Sequence, residues 1–190
     1  MIVASRRPVP DEYGPTDYYA RSITAVGGED VMPILRDQMF WLCELGSSIS
    51  TDQTDRLHPP YTWTIRQVFE HCADAERVFG YRAMRIAAGD STELPPWDEN
   101  AYAQSRFGLG GTFSMIVEEW GALRRANYIL LRRIEPAAWD RRTIANRVSL
   151  SVRAIAWLMA AHLQHHLQIV EQRLGISVQR APSPHAMRTT

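Results

Sequence analysis

Two histidines, His162 and His166, stand four residues apart in a stretch of helical periodicity. On a helix that spacing puts both rings on one face, with Cβ atoms ~6 Å apart. Two imidazoles so placed can converge on one cation, with Zn–N distances of about 2.0–2.1 Å. Both belong to the stripe Ile155, Met159, His162, His166 and Val170, so both are expected to point inward. Burying imidazoles in an aliphatic seam without partners costs ~1–3 kcal/mol each, which favours a shared ligand. A third histidine, His71, lies in another inward stripe with Val68, Ala75 and Val78. His71, His162 and His166 are therefore the candidate metal ligands. Taken singly, each could instead be a core histidine bonded to a backbone carbonyl. His165 falls on a weaker stripe and is expected to be a neighbour of the ligands. His58 and His185 lie in a loop and a tail and read as bystanders.

The surroundings narrow the chemistry. Leu163 occupies the position where an HExxH metallopeptidase motif needs its glutamate, so that class is disfavoured. All 21 basic residues are arginine, which excludes a lysine nucleophile or Schiff base. Cys43 and Cys72 lie 29 positions apart and form no CxxC pair; they read as reduced, buried small hydrophobes. Cys72 is one helical step from His71, about 100° round, and should point away from an ion. Asp98, Glu99 and Asn100 sit in a long loop, where they either line a cavity or cap a helix and bond the loop. Glu70, Asp74 and Glu76 flank His71 and read as a solvated face rather than part of a site. Arg82 and Arg85 could bind an anionic substrate or a neighbouring carboxylate. Trp63, Trp97, Trp120, Trp139 and Trp157 read as core, although Trp97, in the same loop as Asp98, could instead roof a pocket.

Four helices must position these side chains. The first is expected over about Glu29–Leu45, with Gly46 as its stop, and the second over about Thr64–Ala88, where Thr64 and Gln67 give a capping-box pattern. The third is expected over about Thr112–Arg133 and the fourth over about Ser151–Leu174, stopped by Gly175. Residues 143–150 read as an irregular or hairpin-like connection. Helices of this length suit an all-α, four-helix bundle, whose core is where facing helices build metal sites. The loop from Asp90 to Gly111 is long for a bundle and reads as a crossover or lid. Residues 1–27 are expected to be an irregular lead-in, 28–175 the bundle domain, and 176–190 a flexible tail.

A chain of 190 residues with zero formal net charge has no global field to steer it to nucleic acid. The N-terminus lacks the apolar stretch of a signal peptide. The longest apolar run, Ala154–Ala161, is far short of the ~18–20 residues that cross a bilayer. A cytoplasmic protein with no membrane or nucleic-acid partner is expected.

Three segments together resemble the DinB-like superfamily, which includes the bacillithiol- and mycothiol-dependent S-transferases. They are Trp63–Phe79 around His71, Leu94–Tyr102 around Asp98-Glu99-Asn100, and Ser151–Ile169 around His162 and His166. The likeness covers about residues 28–175. It implies a four-helix bundle of unusual connectivity, a zinc or nickel ion on His71, His162 and His166, and a homodimer. Three neutral histidines would leave a charge of +2 and an open position, which favours an anionic ligand such as a thiolate. Thiol-dependent S-transfer to a small electrophile is the first expectation for function. Hydrolysis of a small ester or amide, and a non-catalytic, stress-associated metal-binding dimer, are the alternatives.

Overall fold

The computed structural model describes residues 3–105, 110–178 and 180. Its order is a 3₁₀ turn (Pro10–Glu12), α1 (Asp17–Ala25), α2 (Val31–Ser47), α3 (Thr51–Thr54), α4 (Ile65–Ala87), α5 (Glu99–Ser105) and α6 (Phe113–Arg132). A second 3₁₀ turn (Pro136–Asp140), β1 (Arg142–Ala145), β2 (Val148–Ser151) and α7 (Val152–Leu174) follow. The four expected helices are α2, α4, α6 and α7. Three begin on the hydroxyl caps their sequences offer: Thr64 accepts from the Gln67 N–H, Thr112 from Met115 and Ser151 from Ala154. Gly175 ends α7 in the left-handed conformation, at φ 63°. The chain between α6 and α7 is a true hairpin, with Ala145 paired to Val148 across the turn.

The connectivity of the bundle is unusual. α4 packs against α6 and α7, and α2 packs against the same two. Consecutive long helices α2 and α4 are therefore diagonal, as are α6 and α7. An up-down-up-down bundle would make chain neighbours into spatial neighbours. The rod of this arrangement is α7, buried at every position from Val152 to Ala161. A helix apolar all round must be wrapped by the rest of the fold.

Four expectations are corrected. Gly46 does not stop the first helix: it lies inside α2, where an added Cβ would meet Val117 Cγ2 at 2.9 Å. The glycine permits a close approach of α2 and α6. Cys43 is exposed; only Cys72 is buried. The third change concerns 1–27, which holds the helix α1 and is fastened to α7. Trp157 Nε1 donates to the carbonyls of Ser5 and Arg6, at 3.1 and 2.8 Å. Arg153 Nε donates to that of Ala4 at 2.7 Å. The fourth is Glu76, which reads in sequence as part of a solvated face and is buried. The tail expected over 176–190 lies mostly outside the described residues, His185 included.

The lead-in also carries a buried ion pair. The Glu12 carboxylate is bonded by Arg153, by Arg6 Nη1 at 2.9 Å and by the Val9 N–H at 2.9 Å. Burial works against its charge, but the Val9 amide and the two guanidinium groups outweigh that and hold the carboxyl below its ordinary value of 4.5. A carboxyl depressed in the folded state adds stability above its unfolded pKa and loses it as pH falls through the lower, folded value. Glu12→Gln is expected to cost about 2 kcal/mol at neutral pH. It should also flatten the acid limb of a stability–pH curve below pH 4.5. Urea melts across pH check both; an unchanged acid limb would rule out this role for Glu12.

Candidate metal centre

His71 projects from the second turn of α4, and His162 and His166 project from successive turns of α7. The fold brings these three predicted residues together. His71 Nε2 and His162 Nε2 are 2.8 Å apart. The ring centroids lie 4.8 Å (His71–His162), 4.7 Å (His71–His166) and 4.5 Å (His162–His166) apart. One nitrogen from each ring falls within 4.8 Å of the others. At such separations the lone pairs could hold one divalent cation; alternatively, one ring N–H donates to the next ring.

Two properties of the rings fit a cation. Burial lowers the His71 pKa to about 4 and those of His162 and His166 well below 6.5, with mutual repulsion adding to the last two. The rings are thus neutral near pH 7, the form that binds metals. In addition, Nδ1 of His71 and of His166 are buried with no hydrogen-bond partner among the described residues. The rings keep coordinating capacity that the protein leaves unused.

The His71 ring is held in place by tryptophans. Trp97 stacks on it, with centroids 5.5 Å apart and planes at 12°, and Trp63 meets it edge-on at 5.2 Å. Trp97 is placed by a strap over 94–97. The strap is pinned by the Leu94 N–H to the Ile144 carbonyl at 2.8 Å, and by Arg82 Nη2 to the Pro95 carbonyl at 2.8 Å. Beyond it, Asp98 Oδ1 accepts from the Ala101 N–H at 2.9 Å and so caps α5.

The three histidines open onto a cavity of about 330 Å³. Of the loop residues proposed from sequence, Glu99 and Asn100 line it and Asp98 does not. His165 is exposed, lines the same cavity and meets His166 edge-on at 5.2 Å. Tyr18, Tyr19 and Ser22 also line it. They were missed because α1 carries a weak signal: Ile23 is its one buried residue. Trp63, expected in the core, faces the cavity instead. Cys72 is buried in a separate apolar cluster with Leu163 and Leu167, and burial pushes its thiol pKa up, so it supplies no nucleophile.

Residues 42–170, most of the bundle and all three histidines, match the model of the DinB superfamily. The chain belongs to the DinB superfamily. Among solved structures, this DinB chain is similar to YfiT from Bacillus subtilis, described as a probable metal-dependent hydrolase with an unusual four-helix bundle topology. The two share 19% sequence identity and superpose with a TM-score of 0.68, over 92% of this chain and 100% of the other. At that identity the likeness shows the fold. No curated protein matches this DinB chain. None of its described helices is long and apolar enough to cross a membrane.

Proposed function

We propose that His71, His162 and His166 bind one divalent ion, zinc or nickel, and that the protein catalyses thiol-dependent transfer to a small electrophile. The observation that carries this is the convergence of three neutral imidazoles at a cavity whose described lining contains no cysteine. When bound, such an ion supplies Lewis-acid chemistry that lowers the pKa of a thiol or a water. The nucleophile must then come from a substrate, which suits a small thiol. In the transfer, the thiol sulfur bonds to an electrophilic carbon and the leaving group departs with its electron pair. The thiol proton passes to Glu99 or His165, the titratable groups on the cavity wall besides the three ligand histidines, Arg82 and the two tyrosines. Trp63 and Trp97 keep the His71 ring from turning and cover it from bulk water.

Hydrolysis of a small ester or amide is the second reading. Glu99 and His165 favour it, because either could take a proton from an attacking water. Membership of the superfamily and the likeness to YfiT are compatible with both.

Metal-loaded protein separates the two when supplied first with a thiol plus an electrophile and then with chromogenic esters. Turnover that rises with thiol concentration is the expected result. Thiol-independent ester cleavage would favour the second reading, and no turnover in either assay would leave a metal-binding protein without catalysis.

A further inference from the structure

Arg82 lies three turns beyond His71 on the same face of α4. Eleven residues at 100° each return to within about 20° of the starting direction and advance ~16 Å. His71, Ala75, Val78 and Arg82 accordingly form one wall of the cavity, with the histidine cluster at one end and the guanidinium at the other.

This arginine is poorly compensated. The residue is 6% exposed. Among the described residues its hydrogen bond to the Pro95 carbonyl is the single one it makes, and no carboxylate forms an ion pair with it. A guanidinium carries five N–H donors and is rarely buried without an anion. Burial depresses its pKa, and the one neighbour that offsets this is the phenol of Tyr19. Tyr19 lines the cavity too, and its oxygen accepts from Asn146 Nδ2 at 3.2 Å. The phenol proton is thus free to point at a ligand. Of the other titratable groups of the cavity, Glu99 acts on Tyr18, whose ring lies 5.8 Å from that of Tyr19, and His165 lies beside His166.

We infer that the cavity takes an elongated small molecule with an anionic group, a carboxylate or phosphate, bound by Arg82 and the Tyr19 hydroxyl at the end away from the histidines. The inference rests on the proposed function in placing the reacting end of that molecule at His71, His162 and His166. It goes further in naming a charge and a length for the substrate. A neutral or short molecule leaves Arg82 buried without an anion, so the site selects against it.

Cobalt-loaded protein tests this with a homologous series of ω-mercaptocarboxylates and the matching ω-mercaptoamides, read by the thiolate-to-cobalt absorption band. The carboxylates are expected to bind about tenfold or more tightly than the amides, at an optimal chain length. Arg82→Gln should abolish that preference, Arg82→Lys should retain part of it, and Tyr19→Phe, which leaves the Pro95 contact intact, should weaken it. Equal affinity of the two series for the unaltered protein overturns the inference. If no thiol perturbs the band, the thiol chemistry fails instead. The anion subsite is then read on metal-free protein by calorimetry with alkane dicarboxylates against their diamides. A preference lost in Arg82→Gln sustains the inference; no preference overturns it.

Discussion

Zinc added to the metal-free protein is expected to raise its melting temperature, and His162→Ala should erase that rise. A ligand that binds only the folded state stabilises by RT ln(1 + [L]/Kd), about 2.7 kcal/mol at a hundredfold excess over Kd. Removing a group that hydrogen-bonds a metal ligand costs about ten- to a hundredfold in affinity, and loss of the ligand itself costs at least as much. His162→Ala should therefore weaken zinc binding by about a hundredfold or more. His165→Ala is the control, because His165 is exposed and stands outside the converging set. It should keep the metal within a few-fold of the unaltered protein. Calorimetric titration with zinc, beside elemental analysis of the purified proteins, gives both numbers. Equal loss in the two variants, or none in either, would remove the three-histidine site from consideration.

The second large effect concerns folding. Arg124 is fully buried and grips Glu76 with two parallel bonds, Nε–Oε1 and Nη2–Oε2, each 2.9 Å. Its Nη1 donates to Gln38 Oε1 at 2.7 Å, and Gln38 Nε2 donates to the Ala160 carbonyl at 2.7 Å. Asn127 Nδ2 donates to Glu76 Oε1 at 2.9 Å. All four long helices thus join one polar network, two residues before His162. Removing one partner of a buried pair strands the other's charge, at a cost of ~3–5 kcal/mol. Since domains are stable by only ~5–15 kcal/mol, Glu76→Leu should leave a barely folded protein. In Glu76→Leu/Arg124→Met both charges are gone, and much of the loss should be recovered. A double-mutant cycle in urea measures the coupling. Strictly additive losses would mean that the pair acts through its side-chain volumes.

Much of this was visible in the chain before folding. The long helices announce themselves through caps and apolar stripes, which are local signals. The convergence of His71 with His162 and His166 could be anticipated because all three sit in inward stripes of helices that must face each other. Glu76 and Arg124 could not be found that way. A charge on a helix normally faces water, and only the tertiary partner reveals a buried one. Gly46 misled for a related reason: the residue that ends helices is also the one that lets two helices touch. Arg82 reads in sequence as a cation for a substrate or for a carboxylate, and the fold leaves it without a carboxylate among the described residues. Tyr18 and Tyr19 depended on α1, whose nine residues bury too little to show a period.

The histidines stand on two of the longest and best-packed helices, whereas Tyr19, Trp97 and Asn146 come from α1, the strap over 94–97 and the hairpin turn. The long helices therefore carry the histidines and Arg82 together, while α1 and the hairpin turn supply Tyr19 and Asn146, neither in ring contact with a histidine among the described residues. A protein built this way can be retargeted by exchanging α1 and the hairpin turn while the three rings and the Trp97 that stacks on His71 stay as they are. Libraries aimed at those segments should yield altered substrate ranges without eroding thermal tolerance.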